Sequence, residues 1–163
     1  MSVIDKGPET PEPAAELHPI GWIELHNPSG AAVNLAGHFL TDDRGNALKW
    51  SFPSTNLASG AYLLVFASGK NRTNAGAALH TDFRLSNSGE YLALFGPGPL
   101  LLHAFDPAFP PQRADISYGI LGADVSLVRY LGVPTPGLPN NETPPPPEAP
   151  LLTPAGGIFT QPF

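Results

Sequence analysis

Glycine and proline interrupt this chain of 163 residues so often that almost no room is left for a helix. There are 21 Pro and 17 Gly, and the longest stretch free of both runs from Ala77 to Ser88. That stretch, AALHTDFRLSNS, has no apolar face with helical periodicity. Because Gly and Pro are the poorest residues in a helix interior, we expect no helix longer than about two turns.

The segments between these interruptions have the apolar and β-branched composition of short strands. They are separated by the turn sequences NPSG, DDRGN, LASG, SNSGE and GPGP, in which Gly or Asn supplies a positive φ and Pro fixes φ. Short strands with turns at roughly 8–12-residue spacing indicate an all-β fold, a sandwich or a barrel. The predicted strands are Trp22–Asn27, His38–Thr41, Lys49–Phe52, Tyr62–Ala67, Tyr91–Phe95, Leu100–Ala104, Ser117–Ile120 and Ser126–Tyr130, with Val3–Asp5 as a further edge strand.

The predicted core follows from alternation along these strands. In WIELH, Ile23 and Leu25 face one way and Glu24 the other, since successive side chains of a strand point to opposite faces. The runs YLLVFA and LLLHAF are apolar nearly throughout, which suggests inner strands covered on both faces, with a loop over the outer face. We expect these side chains to be mostly buried: Ile23, Leu25, Leu40, Leu63, Val65, Leu92 and Leu94.

Charge and cysteine content argue against several classes of function. The net charge is −6 and the eight Lys and Arg are scattered, whereas nucleic-acid binding needs concentrated positive charge. Without any Cys, the chain has no thiolate zinc site. No apolar run is long enough for a membrane helix, so no membrane insertion is expected. The start, MSVIDKGPETPEP, does not resemble a signal peptide, so either the protein is cytoplasmic or a leader is missing from this numbering.

A turn with acidic side chains is the weak candidate for a metal site. Asp42, Asp43 and Asn46 supply the oxygen ligands that a Ca²⁺ ion prefers. Their spacing is not that of an EF-hand, and Asp and Asn also stabilise turns through their own backbone. We therefore interpret this sequence as a turn, and we expect no cofactor.

A catalytic interpretation is equally weak. His80, Asp82 and Ser86 can be drawn as a triad, but their spacing implies no convergence in space. We interpret them as ordinary polar residues of a strand and a loop, so replacing His80 or Ser86 by Ala should leave stability nearly unchanged and remove no activity.

One acidic residue lies inside an apolar strand. Glu24 follows Trp22 and Ile23, and a buried carboxylate needs a partner, for which Lys49 and Arg84 are the candidates. We interpret its role as structural.

Aromatic residues could form a carbohydrate platform, but most lie within strand runs, where core packing or cross-strand pairing is the favoured interpretation. They are Trp22, Trp50, Tyr62, Tyr91 and Phe95.

Several phrases in order carry a family likeness: WIELHNPSGAAVNLAGHFLTDD, KWSFPS, LASGAYLLVFASGKNR, LHTDFRLSNSGEYLALFGPGP, PPQRADISYGI and PTPGLPN. Together they resemble a prokaryotic lamin tail domain, the module also found at the C-terminus of nuclear lamins. The likeness extends over residues 22–140, preceded by a Pro-rich leader with an edge strand in residues 1–21. It implies an immunoglobulin-like antiparallel β-sandwich.

The C-terminal sequence suggests a linker and the beginning of another module. Residues 141–150 contain four consecutive prolines and are interpreted as a stiff spacer. Residues 151–163, LLTPAGGIFTQPF, resemble the opening of a β module related to the C-terminal domain of chitobiases, here truncated. We expect its apolar residues to promote self-association: Leu151, Ile158, Phe159 and Phe163.

The resemblance implies a non-catalytic module of a larger bacterial protein, exported or displayed at the cell surface. It would serve as a spacer or as a binding unit for a protein or an envelope polymer. Two alternatives stay open: an accessory domain of a multidomain enzyme whose catalytic domain lies elsewhere (spore-coat kinase-like, nuclease or hydrolase), and an intracellular structural protein analogous to lamins.

Overall fold

The computed structural model describes residues 2–4, 21–74, 76–122 and 124–147, with the backbone alone for residues 2–4. These ranges contain twelve strands and no helix, which confirms the expectation from Gly and Pro for the part of the chain that is described. The strands are β1 (Ser2–Ile4), β2 (Gly21–His26), β3 (Val33–Asn34), β4 (Phe39–Thr41), β5 (Trp50–Ser51), β6 (Asn56–Leu57), β7 (Tyr62–Ala67), β8 (Leu79–His80), β9 (Leu92–Gly96), β10 (Leu100–Phe105), β11 (Ser117–Ile120) and β12 (Val128–Leu131).

The strands form two main sheets and one short ribbon. The first sheet has six strands in the order β12-β11-β1-β2-β7-β8, and the second has four in the order β10-β9-β4-β5. Strands β3 and β6 pair by themselves. All pairs are antiparallel except β7 with β8. The fold is therefore the predicted immunoglobulin-like β-sandwich.

In the described residues, an apolar core lies between the two main sheets. The six-stranded sheet contributes Ile23, Leu25 and Val65, and the four-stranded sheet contributes Leu40 and Leu92, all of them buried. Leu63 and Leu94 are partly buried and pack against this cluster. The seven residues predicted from alternation thus all belong to the core or to its margin, because the alternation of β2 and β7 puts one set of side chains on the inner face.

The first strand differs from its prediction. We predicted Val3–Asp5 as an edge strand, but β1 pairs with β2 on one side and with β11 on the other. Ser2–Ile4 therefore lies inside the six-stranded sheet and connects the first strand pair to the last one. The inner position of β1 is hard to predict from the sequence because the strand is only three residues long and precedes a Pro-rich stretch.

The prediction for LLLHAF is wrong. We expected an inner strand covered on both faces, but β10 is the edge of the four-stranded sheet. Leu100, Leu101 and Leu102 are exposed, and only the end of the strand, at Phe105, enters the core. An apolar run by itself does not distinguish an inner strand from an edge strand, because the position in the sheet depends on topology.

Three short strands were not predicted. Strands β3, β6 and β8 have two residues each, too few for a periodic pattern to be visible in the sequence. They nevertheless matter for the fold, since Leu57 and Leu79 belong to the core.

Candidate functional site

The turn after β2 is organised by one buried asparagine. The Asn27 side-chain amide donates to the carbonyl oxygens of Ala31, Leu57 and Ala58 at 2.8, 3.0 and 3.1 Å. Its Oδ1 accepts from the backbone N–H of Ser29 at 3.1 Å and from the Ser29 hydroxyl at 2.7 Å. The polar atoms of this side chain are therefore used to hold backbone segments together, as buried polar groups require.

The candidate metal residues lie in the hairpin between β4 and β5. Asp43 Oδ1 accepts from the Gly45 amide at 2.8 Å, and Asn46 Oδ1 accepts from the Leu48 amide at 3.3 Å. These are the contacts of turns in which a side chain bonds the backbone two residues on. Within the described ranges, no group of three or more His, Cys, Asp or Glu residues is placed to hold a metal ion.

Asp42 points to a different partner. Lys49 Nζ lies 2.5 Å from Asp42 Oδ1, and the same ammonium lies 5.4 Å from the centroid of the Phe83 ring. The hydrogen bond to Asp42 is the largest cause of a raised pKa for Lys49. Lys49 therefore pairs with Asp42 across the hairpin, and the hydrogen bond to the Glu24 carboxylate comes from the Gly137 amide, so the proposed Glu24–Lys49 partnership is wrong.

The structure does not assemble His80, Asp82 and Ser86 into a catalytic triad. His80 Nδ1 lies 2.9 Å from the hydroxyl of Ser68, and both residues are buried. Ser86 instead donates its amide to Glu90 Oε1 at 2.6 Å, and Asp82 is exposed. The buried Ser68–His80 pair therefore belongs to the interior of the sandwich.

The interpretation of His80 as an ordinary polar residue of a strand or loop implies that His80→Ala leaves stability nearly unchanged. The burial of His80 shows that this interpretation is wrong. His80 is only 1 % exposed and its ring stacks on Phe66, with ring centroids 5.1 Å apart. We now expect His80→Ala to be destabilising, since it removes a packed ring and leaves the Ser68 hydroxyl without this partner.

The buried carboxylate of Glu24 is held by a segment far away in the sequence. The Gly137 amide donates to Glu24 Oε2 at 2.6 Å. Gly137 belongs to residues 132–144, which we call the C-terminal strap. A further hydrogen bond, from the Asn140 side chain to Ile120 O at 2.7 Å, joins the strap to β11, and the Gly132 amide bonds Thr143 O at 2.7 Å within the strap.

The strap explains why Glu24 is buried although it points away from the core. Ile23 and Leu25 enter the core cluster, so Glu24 lies on the outer face of the six-stranded sheet. It is nevertheless 2 % exposed. This burial raises the pKa of Glu24 to about 7, against the lowering effect of the hydrogen bond from Gly137. Arg84, the second proposed partner, instead donates to Ser68 O at 3.0 Å, so that proposal is also wrong.

The aromatic residues do not form one platform. Trp22 and Trp50 are buried, and Trp50 makes an edge contact with Phe52 at 4.8 Å between centroids. Tyr62 stacks on His26, its register partner across β2 and β7, with centroids 4.4 Å apart. The guanidinium of Arg44 lies over the Tyr91 ring, 4.9 Å from the ring centroid. Phe95 is the register partner of Phe39 and Leu101 in the four-stranded sheet. These contacts agree with the structural interpretation.

Comparison with protein-family models identifies the family of this sandwich. Residues 2–103 match the model of LTD, the Lamin Tail Domain, over more than half of the chain. The chain belongs to the lamin tail domain family. This family has an immunoglobulin-like β-sandwich, a generally non-catalytic fold. The match begins in β1, which agrees with the place of that strand inside the six-stranded sheet.

The lamin tail domain match leaves the last part of the chain unassigned. Strands β11 and β12 and the C-terminal strap lie beyond residue 103, although β11 pairs with β1 inside the same sheet. Residues 151–163 lie outside both the matched range and the described residues, so their likeness to a chitobiase-related module stays a prediction. The domain limits at residues 140 and 150 also stay predictions. No curated protein and no solved structure matches the chain.

Sequence reasoning missed the polar contacts that hold this lamin tail domain together. The sequence HNPSG indicates a turn, so the role of Asn27 in organising that turn could have been predicted. The bonds from Gly137 to Glu24 and from Ser68 to His80 carry no local signal, since the first joins residues 113 positions apart.

Proposed function

We propose that this lamin tail domain is a non-catalytic module of a larger bacterial protein that is exported or displayed at the cell surface. Its role is that of a spacer or of a binding unit, and its partner is a protein or a polymer of the cell envelope. The observation that carries the proposal is the use of the polar side chains: those of Asn27, Asp43 and Glu24 bond backbone amides or carbonyls of the sandwich.

The Pro-rich sequence supports the spacer role. Pro144–Pro147 has no backbone N–H donor, so it favours an extended polyproline conformation and cannot continue a sheet interior. Such a segment holds neighbouring modules apart. None of the described residues forms a helix with the length and apolarity needed to cross a bilayer.

Fractionation of cells that express the complete gene product with an epitope tag tests the location. Recovery in the envelope or the medium supports the proposal, whereas recovery only in the cytoplasm supports the lamin-like alternative. Co-sedimentation of the purified chain with isolated cell-wall polymer, before and after protease treatment of that polymer, then separates binding to the polymer from binding to its attached proteins. Absence of binding to either preparation leaves the spacer role.

Assays with ester, phosphate and glycoside substrates test the non-catalytic part. We expect no turnover by the purified chain, and Ser86→Ala and Asp82→Asn serve as variants that leave the buried interior intact. Turnover that either substitution abolishes would show that this module is an enzyme.

A further inference from the structure

The C-terminal strap, residues 132–144, closes on itself. The Gly132 amide donates to Thr143 O at 2.7 Å, which joins the two ends of the strap. The ends lie so close together that a Cβ at Gly132 would be 2.3 Å from Pro144 O. A surface loop of this length whose ends meet is a compact unit, separate from the strands that it connects.

The strap buries little apolar surface. All of residues 132–144 are described, and none of them is buried. Its Val133 and Leu138 are 46 % and 61 % exposed. Polar contacts link it to the strands instead, from the Gly137 amide to Glu24 Oε2 and from the Asn140 side chain to Ile120 O. Segments with little apolar burial open locally at a lower free energy than the whole domain.

A tight turn in the strap directs one amide toward Glu24. The Leu138 amide donates to Thr135 O at 3.0 Å, and Gly137 has a φ of 77°. Pro136 followed by a glycine with this φ is the pattern of a type II turn, whose central amide takes no part in the hydrogen bond of the turn. Gly137 supplies that central amide, and Glu24 Oε2 accepts from it at 2.6 Å.

The charge on Glu24 determines how well it fits the closed strap. An ionised carboxylate accepts the hydrogen bond from Gly137 more strongly, but it has lost most of its water because Glu24 is 2 % exposed. The loss of water is the larger effect, since burial raises the pKa of Glu24 to about 7 in spite of this hydrogen bond. An open strap returns water to the carboxylate, so ionisation favours the open strap.

We propose that the strap is proton-dependent: protonated Glu24 keeps it closed, and when this carboxyl loses its proton the strap opens more often while the two main sheets stay folded. The segment Pro144–Pro147 begins at the end of the strap, and the closed strap holds Pro144 against Gly132. Opening therefore also loosens the attachment of the Pro-rich segment. The direction in which the chain leaves the sandwich thus depends on the charge of a buried side chain.

The other titratable groups around Glu24 change charge at a different pH. Burial and the N-terminal amine lower the pKa of His26, on the same face of β2, below its ordinary 6.5. Burial and the neighbouring Glu24 raise the pKa of Tyr62, on β7, above its ordinary 10.0. The N-terminal amine also lowers the pKa of Glu24, as the smallest of its causes. Strand β1 has no titratable side chain, and the strap has only Glu142, which is exposed.

The size of the effect follows from the two pKa values of Glu24. The carboxyl ionises near its ordinary pKa of 4.5 when it is hydrated, and at about 7 when the strap is closed. Below pH 4.5 both states are protonated, and the opening constant does not depend on pH. Between the two values it should rise about tenfold per pH unit, and by at most about 300-fold in total.

Amide hydrogen exchange of the full chain, followed by NMR between about pH 5 and about pH 7.5, measures this opening. Rates are expressed as protection factors, so that the pH dependence of the exchange chemistry cancels. The protection factor of the Gly137 amide should fall by at least about tenfold over this range. At every pH it should also be lower than that of the most protected amides of β2 and β7, as local opening requires.

Three substitutions identify the responsible group. Glu24→Gln keeps an oxygen for the Gly137 amide and does not titrate, so the protection factor of Gly137 should no longer depend on pH. His26→Gln and Glu142→Gln are the controls, because Glu24 still titrates in both of them. They should show the same fall in protection as the original chain.

Several results would overturn the proposal. A protection factor of Gly137 that does not change with pH would do so, as would an equal pH dependence in the original chain and in Glu24→Gln. Equal protection of Gly137 and the core amides would show that the strap opens only when the sandwich unfolds. If Glu24→Gln does not fold, the carbon-13 shift of the Glu24 carboxyl in the original chain provides the test, and titration at the ordinary pKa of 4.5 contradicts the proposal.

Discussion

Replacing Glu24 by Gln tests the account of the buried carboxylate. The unfolded chain ionises this carboxyl near its ordinary pKa of 4.5, whereas burial in the folded state raises the pKa to about 7. Between these two values the folded state holds a proton that the unfolded state has lost, so stability falls as pH rises. Below pH 4.5 both states are protonated and the full stability is present. Above about pH 7 the ionised group costs about 3 kcal/mol relative to the protonated one.

Gln has nearly the same shape, keeps an oxygen for the Gly137 amide and does not titrate. The free energy of unfolding of Glu24→Gln should therefore lack this contribution to the pH dependence. The difference between the variant and the original chain should shift in favour of the variant by about 3 kcal/mol as the pH rises from about 4.5 to about 7.5.

Urea unfolding followed by tryptophan fluorescence at a series of pH values measures this difference, since Trp22 and Trp50 are both buried. Glu142→Gln provides the matched control, because it makes the same chemical change at an exposed residue. Parallel pH profiles for Glu24→Gln and the original chain would refute the reasoning. They would mean that the carboxyl is solvated and that the strap does not cover it.

Three further substitutions test the packing of the sandwich, each by urea unfolding. Val65→Ala should cost about 2–4 kcal/mol, through lost burial and a cavity in the core. Gly89→Ala should cost more than Gly60→Ala, because both glycines have a positive φ but a Cβ at Gly89 would collide with Phe109 O, whereas Gly60 has open space. Asn27→Ala should cost about 2–4 kcal/mol, since it leaves buried carbonyl groups without donors. A loss below about 1 kcal/mol would show that water replaces the Asn27 amide.

Much of the fold is predictable from the local chemistry of this sequence. Turns that need Gly, Asn or Pro delimit the strands, and the structure reproduces the predicted limits of Tyr62–Ala67 and Ser117–Ile120. Alternation in WIELH assigns Ile23 and Leu25 to the core because the two faces of β2 have different environments. These signals depend only on residues that are neighbours along the chain, so they can be recognised from the sequence alone.

The candidate site was less predictable because its contacts join distant elements. Asp42, Asp43 and Asn46 are close in sequence, and their interpretation as a turn agrees with their hydrogen bonds. Glu24 is different, since its partner is a backbone amide of the strap and a backbone group is not marked by any residue type. Lys49 and Arg84, the cationic side chains predicted as its partners, instead bond Asp42 and Ser68 O.

The prediction of β10 as an inner strand was wrong because composition does not fix the position of a strand in its sheet. The run LLLHAF has the composition of a strand covered on both faces, yet the described residues cover only its C-terminal end. Strand β7 has a similar composition and lies between β2 and β8, and its side chains are all buried or partly buried. The two strands therefore differ in what covers them and not in their apolar character. Leu100, Leu101 and Leu102 stay exposed because a strand at the edge of a sheet has a neighbouring strand on one side only, and the described residues pack over the end of β10 at Phe105 and not over its beginning.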